Sequence, residues 1–120
     1  MSVLSFDALL APGASVNNVL SGTILERLTS RREVVNIYAV TDPPTASDEG
    51  LFTVDFRLGN VIVADKASAR VAAANVGPDR DSHLLARALG DPFDLVQVGV
   101  FNGGAAAIRY RILVESSAVA

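Results

Sequence analysis

The sequence contains no cysteine and no tryptophan, and it has one histidine and one lysine. The absence of cysteine excludes disulfide cross-links, thiol catalysis and cysteine-ligated zinc or iron–sulfur centres. Aromatic residues make up 6% of the chain, which leaves few rings for stacking against bases or sugars. Charged residues make up 19% and the net charge is −3, so the chain lacks the basic surface that nucleic-acid binding requires.

Long apolar runs are also missing. No stretch of the chain reaches the roughly 18 apolar residues of a membrane-spanning helix. The segment 1–20 contains neither lysine nor arginine, so the basic start of a secretory signal peptide is absent. We therefore expect synthesis in the cytoplasm and no membrane partner.

The length of 120 residues predicts a single domain that covers residues 1–120. Short alternations of apolar and polar residues recur along the chain and are separated by turn residues, a pattern typical of all-β proteins. We predict an antiparallel β-sandwich of jelly-roll type, with seven to nine strands and one short helix near residues 82–89.

The predicted strands follow the β-branched and alternating segments. They are Ser2–Leu10 at a sheet edge, Ser21–Leu28, Arg32–Thr41, Leu51–Leu58, Val61–Ala64, Phe93–Asn102 and Ala105–Glu115, with Ala67–Ala74 as either a strand or a short helix. Gly59-Asn60 predicts a two-residue hairpin turn with a positive φ at Gly59, and Asp65-Lys66 predicts a second turn. Asn102-Gly103-Gly104 predicts a hairpin that pairs the last two strands.

The alternation also predicts which side chains point into the core. The inward residues are Phe52, Val54, Phe56, Leu58, Val96, Val98, Val100, Ala106, Ile108, Tyr110, Ile112 and Val114. The opposite faces of the same strands carry Thr53, Asp55, Arg57, Arg109, Arg111 and Glu115.

The segment Ser82–Leu89 has the features of a short helix. Asp79, Asp81 or Ser82 is placed to cap it, and Gly90 stands where a glycine often ends a helix. Its leucines form an apolar stripe at helical spacing. A strand is the alternative interpretation of this segment.

The single histidine, His83, is the first candidate for chemistry. Ser82, His83 and the nearby Asp79 and Asp81 have the residue types of a catalytic triad, but the Gly-x-Ser-x-Gly motif is absent. The alternating oxygen donors of 79–83 suit a calcium ion, whereas Arg80 within them disfavours one. Helix capping accounts for these aspartates without an ion, and Asp91 and Asp94 fit a solvated turn.

No glycine-rich phosphate loop is present, because Gly99, Gly103 and Gly104 match neither nucleotide-binding spacing. We therefore predict no catalytic, cofactor-binding or metal-binding residue and no enzymatic activity. Whether 79–83 binds an ion stays open.

The arginines occur in two small clusters, Arg31-Arg32 and Arg109 with Arg111. Glu33 follows the first and Glu115 shares a strand face with the second. Mixed faces of this kind are usually solvated or bridged across strands, and contact with an acidic patch of a neighbouring subunit is the alternative. Nucleic-acid binding is not expected.

The order of features resembles small all-β virion proteins of bacteriophages, both capsid decoration proteins and compact jelly-roll coat subunits. The matching stretches are the opening SVLSFDALLAP, the strand SGTILERL, the strand REVVNIYAVTD before a Pro-rich loop, and FDLVQVGVFNGGAAAIRYRILVE. The resemblance covers most of the chain and involves no diagnostic motif. It implies a β-sandwich that works in many copies, without a catalytic site.

The leading functional hypothesis is therefore a structural virion protein that self-associates as a homo-oligomer and packs against other virion proteins. In this hypothesis the apolar termini, such as Val3 and Leu4 at the start and Val119 at the end, dock on neighbours. The alternative is a non-catalytic, cytoplasmic binding module that presents the loops Asp42–Gly50 and Asn75–Asp81 to a ligand or partner protein.

Overall fold

The computed structural model describes residues 2–43, 50–72, 77–80 and 83–119, and these ranges contain β-strands and no helix. The nine strands are β1 Ser2–Leu10, β2 Ser15–Val16, β3 Glu33–Thr41, β4 Phe52–Leu58, β5 Val61–Ser68, β6 Arg70–Val71, β7 Leu84–Gly90, β8 Val96–Asn102 and β9 Ile108–Ala118.

The strands form two sheets, which is consistent with a β-sandwich. Sheet A has the order β1-β9-β3, and both β7 and the short β6 pair with the far side of β3. Sheet B has the order β2-β8-β4-β5. All pairs are antiparallel except the short β3–β6 pair.

The strand pairs are nested within one another along the chain. The hairpin β4–β5 is innermost, β3 pairs with β7 outside it, β2 pairs with β8, and β1 pairs with β9. Apart from β4 and β5, consecutive strands of this series therefore belong to opposite sheets. The chain repeatedly crosses between the sheets and encloses one core.

The core lies between the inward faces of the two sheets, as the alternation predicts. The inward residues of β4 and β8 are at most 3% exposed, namely Phe52, Val54, Phe56, Leu58, Val96, Val98 and Val100. Ile108, Tyr110, Ile112 and Val114 of β9 face them from sheet A and are also buried. The rings of Phe52 and Tyr110 lie 5.3 Å apart, so the two sheets touch directly. Ala106, also predicted inward, is exposed.

The prediction of a helix at 82–89 is wrong, because Leu84–Gly90 is strand β7 and Ser82 lies outside the described residues. The backbone of β7 pairs with β3 from Glu33 to Tyr38, and this tertiary pairing overrides a weak local helical preference. Gly90 is required for packing rather than for a cap. A Cβ at Gly90 would lie 2.3 Å from Cδ1 of Leu28.

The strand predicted at Ser21–Leu28 is also wrong. The segment forms successive turns, in which the Thr23 N–H donates to the Leu20 carbonyl at 2.9 Å. The turns bury Leu20, Leu25 and Leu28, so the apolar residues fill the core without the period of two that a strand requires.

The predicted hairpin between the last two strands does not form, because β8 belongs to sheet B and β9 to sheet A. Asn102-Gly103-Gly104 instead belongs to the connection that crosses between the sheets. The buried Asn102 amide donates to the carbonyls of Leu10 and Ala106 at 3.0 and 2.9 Å, and its oxygen accepts the Gly104 N–H at 2.9 Å. These bonds fix the crossing.

The hairpin turn at Gly59-Asn60 is confirmed, with Leu58 opposite Val61 and a φ of +59° at Gly59. The predicted turn at Asp65-Lys66 is a bulge inside β5, which continues to Ser68. Beyond it, β6 supports the strand interpretation of 67–74 as far as Val71.

Phe56 tests the assignment of the inward face, because its side chain is 0% exposed. We expect Phe56→Asp to abolish cooperative folding, since losing a buried phenylalanine already costs about 4 kcal/mol and the carboxylate has no partner there. Thermal unfolding monitored by circular dichroism measures this. The control is Thr53→Asp on the opposite face of β4, which should fold; a normal melt for Phe56→Asp would refute the register.

Ser116 tests the assignment of a second inward-facing residue, here a polar one on β9. It is 1% exposed, and its hydroxyl has no hydrogen-bond partner among the described residues. The neighbouring void, lined by Val35, Val96 and Val114, is too small for water. Since an unsatisfied buried hydroxyl is costly, Ser116→Ala should raise the free energy of unfolding by about 1 kcal/mol in urea titrations. Ser117→Ala, on the other face of β9, should have little effect; destabilisation by Ser116→Ala would disprove the assignment.

Candidate functional site

His83 closes a local turn in the structure. Its Nδ1 accepts a hydrogen bond from the Asp79 backbone N–H at 2.8 Å, and the His83 backbone N–H donates to the Asp79 carbonyl at 3.0 Å. Gly77 has a φ of +82°, and a Cβ there would lie 3.1 Å from Nδ1. These contacts give the imidazole a structural role. Asp81 and Ser82, the other members of the predicted site, lie outside the described residues.

Acidic side chains do not gather into a cation site within the described ranges. No group of three or more histidine, aspartate or glutamate residues there is arranged to hold a metal ion. Asp91 and Asp94 stabilise their own turn, because the Asp91 N–H donates to Asp94 Oδ2 at 2.9 Å. Asp91 Oδ1 also lies 3.5 Å from Nε of Arg32.

Arg109 and Arg111 form ion pairs across the outer face of sheet A, so cross-strand bridging is confirmed for them. Arg109 binds both carboxylate oxygens of Asp7 on β1, at 2.8 and 3.3 Å. Arg111 binds Asp42, which follows β3, and its side chain is only 9% exposed. Both guanidinium groups are therefore paired with acids of their own chain.

Glu115 belongs to a buried polar cluster that sequence reasoning misses. It was predicted to face solvent, yet it is 5% exposed. Its carboxylate accepts hydrogen bonds from the Tyr38 hydroxyl and from Arg80 Nε, both at 2.8 Å. The register of β3 against β9 creates the cluster by placing Asn36 opposite Glu115.

The cluster shifts two pKa values in opposite directions. Burial raises the pKa of Glu115, but the hydrogen bonds from Arg80 and Tyr38 lower it by more. The net pKa is below the usual value, so the carboxyl group stays ionised to a lower pH than a free glutamate. Burial and the bond to this carboxylate raise the pKa of Tyr38. Tyr38 is therefore a hydrogen-bond donor at neutral pH. The cluster joins β3, β9 and the segment that carries Arg80, so its role is to stabilise the fold.

A groove of about 600 Å³ lies on the outer face of sheet B. Its polar lining includes Thr53, Asp55, Arg57, Asp65, Lys66 and Gln97. Two acids and two bases cancel in charge, so the groove suits a neutral polar ligand or a partner loop. Gly99 lies in its lining, where a Cβ would come within 3.1 Å of the Asn17 carbonyl oxygen.

The open edges of the two sheets differ in how well they are protected from further pairing. In sheet B, β2 has only two residues, and β5 is bulged at Lys66, which has a φ of +52°. On the far side of sheet A the edge is divided between β7 and the two-residue β6. Short strands, bulges and charges all discourage further pairing.

The edge strand β1 is neither short nor bulged, and its one charged side chain is paired within the chain. Its nine residues pair with β9 in an unbroken register. Its exposed side chains include Val3 and Leu9, which are 42% and 65% exposed. The one charged residue in β1 is Asp7, which Arg109 binds. The prediction of a strand at a sheet edge for Ser2–Leu10 is therefore confirmed.

Two further apolar side chains, Ile24 and Phe93, are exposed. Ile24 is 75% and Phe93 59% exposed, and Phe93 has a strained φ of +64°. The Phe93 N–H donates to the Thr29 carbonyl, while Arg27 donates to the Phe93 carbonyl, both at 2.9 Å. These bonds hold the aromatic ring in an exposed position.

No protein-family model matches the chain, and no curated protein matches it either. The described ranges also contain no helix long and apolar enough to cross a membrane.

The cluster around Glu115 gives a pH-dependent prediction. The folded-state pKa of Glu115 lies below the unfolded value of about 4.5. Ionisation of Glu115 therefore stabilises the fold above about pH 4.5, and this contribution disappears as the pH falls through the folded-state pKa. Glu115→Gln should lower the free energy of unfolding by about 1 kcal/mol at pH 7. The difference from the wild type should narrow in urea titrations below about pH 4.

Glu26→Gln is the matched control, because the Glu26 carboxylate makes no hydrogen bond to the described residues. Glu26→Gln should change the free energy of unfolding little, both at pH 7 and below about pH 4. A difference for Glu115→Gln that persists unchanged in acid would show that its charge is not what stabilises the cluster.

Proposed function

We propose that the chain is a structural, non-catalytic virion protein with a jelly-roll fold, which acts by self-association and by packing against other virion proteins. The observation that carries this proposal is the nested pairing of β1 with β9, β2 with β8, β3 with β7 and β4 with β5. A long hairpin of four strand pairs rolled into two sheets gives this order, and such double-sheet jelly rolls recur in viral capsid domains.

A fold does not assign a function by itself, so the proposal also depends on the surface. Several ionisable groups of sheet A contact one another, as in the pairs Arg109–Asp7 and Arg111–Asp42. The edge strand β1 carries exposed apolar residues and an unprotected backbone. These features favour protein–protein packing over catalysis. The corresponding location is the virion, after synthesis in the host cytoplasm.

A second candidate function is a monomeric binding module, which the groove on sheet B favours. Its volume of about 600 Å³ is in the range of ligand sites. A binding module would show chemical-shift changes at Thr53, Asp55 and Gln97 in NMR titrations with neutral oligosaccharides or unstructured peptides. A structural subunit would show none.

Self-association is tested by sedimentation velocity on the purified full chain over a wide concentration range. We expect the average mass to rise above the 12.5 kDa of the monomer as concentration increases, and negative-stain electron microscopy to show ordered oligomers of uniform size. A folded chain that sediments as a monomer at every concentration would contradict the proposal and favour the binding module.

A further inference from the structure

We propose that β1 pairs antiparallel with β1 of a second copy of this chain, about a two-fold axis at Phe6. This inference rests on the proposed self-association and names the surface that carries it. The pairing would join sheet A of two copies into one continuous sheet, as in β-strand addition. It would form one of the contacts of a larger assembly.

The hydrogen-bonding direction of β9 follows from two bonds at its ends. The Asp42 N–H donates to the Arg109 carbonyl and the Val119 N–H donates to the Arg32 carbonyl, both at 2.9 Å. In an antiparallel ladder a residue directs its N–H and its C=O to the same neighbouring strand, and the next residue directs both to the other. The odd-numbered residues of β9 therefore bond to β3, and the even-numbered residues bond to β1.

The same rule fixes the direction of β1. Leu4, Phe6 and Ala8 stand opposite the even-numbered residues of β9 and bond to them. The backbone groups of the alternate residues thus point away from the sheet, of which β1 is the last strand among the described residues. These outward residues are Val3, Ser5, Asp7 and Leu9, which offer four N–H donors and four C=O acceptors in regular spacing.

Side-chain complementarity selects the register of a two-fold pair. With the axis at Phe6, Val3 faces Leu9 of the second copy and Ser5 faces Asp7, so all four outward residues are paired. Moving the axis to Ser5 sets Val3 against a carboxylate, and moving it to Asp7 sets two carboxylates against each other. Since like charges directly opposite are destabilising and apolar pairs are favourable, the axis at Phe6 is preferred.

Two further contacts support this register. The Asp7 carboxylate is bound by Arg109 of its own chain at 2.8 Å, so it keeps a counter-charge when the second strand approaches. On the inner face, the half-buried Phe6 would meet Phe6 of the second copy at the axis. Aromatic residues directly opposite each other are among the favourable cross-strand pairs.

A charge-swap series tests the contact and its register by sedimentation equilibrium of the full chain. The variants are Val3→Lys, Leu9→Glu and the double variant. Each new charge has an oppositely charged neighbour on β9 within its own chain, because Val3 stands opposite Glu115 and Leu9 opposite Arg109. Circular dichroism melts should therefore show folded proteins.

Each single variant should weaken dimerisation about tenfold, since two symmetry-related cross-strand pairs are lost. The double variant should recover most of the affinity, because its lysine and glutamate face each other across the two-fold axis. The recovered dimer should weaken as salt increases, unlike the wild type. Within one chain these two positions are six residues apart along an extended strand and cannot compensate each other.

Two further variants complete the test. Ser5→Pro removes an outward N–H without touching a bond to β9, so it should weaken the dimer even if the charged variants fail to fold. Ile62→Lys, at an exposed position of β5, is the control and should leave the dimer unchanged.

The possible failures are distinguishable. A wild-type dimer whose affinity is unaffected by all the β1 variants would overturn the β1 contact while self-association stands. Loss in both single variants without recovery in the double variant would overturn the register. A folded wild type that stays monomeric would overturn both the contact and the proposed function.

Discussion

The strand β9 is the constraint on which the rest of the structure depends. It pairs along its length with β1 on one side and β3 on the other, so it lies inside sheet A. Its inner face supplies Ile112 and Val114 to the core, and its outer face supplies Arg111 and Glu115 to ion pairs and hydrogen bonds. Because both faces are occupied, β9 has a single workable register.

The sequence predicted the faces of the long strands and the β4–β5 hairpin, but not the other strand pairs. An alternation with a period of two shows which side chains point inward, and Phe56 and Tyr110 are buried accordingly. The same alternation is compatible with any antiparallel partner, so β8 and β9 looked like a hairpin although they lie in different sheets. The segment Leu84–Gly90 is too short for periodicity to separate helix from strand, and its pairing with β3 decides the outcome.

The polar sites were predictable only where the partners are close in sequence. His83 and Asp79 contact each other, although in a turn rather than in a catalytic or helical arrangement. Glu115 was expected in solvent because its partners, Tyr38 and Arg80, are 77 and 35 residues away along the chain. Residue type and spacing carry no information about such contacts, because the strand register that creates them depends on the whole fold.

The internal ion pairs have a consequence for how sheet A meets another molecule. A charged side chain on an edge strand normally opposes pairing with another chain, because burying it costs free energy. Here Arg109 already binds the Asp7 carboxylate, so a second strand could approach β1 without leaving that charge unpaired. In sheet B the edge strand β5 keeps its bulge and the positively charged Lys66. The two sheets therefore differ in what their edges permit, and the proposed association through β1 would extend sheet A alone.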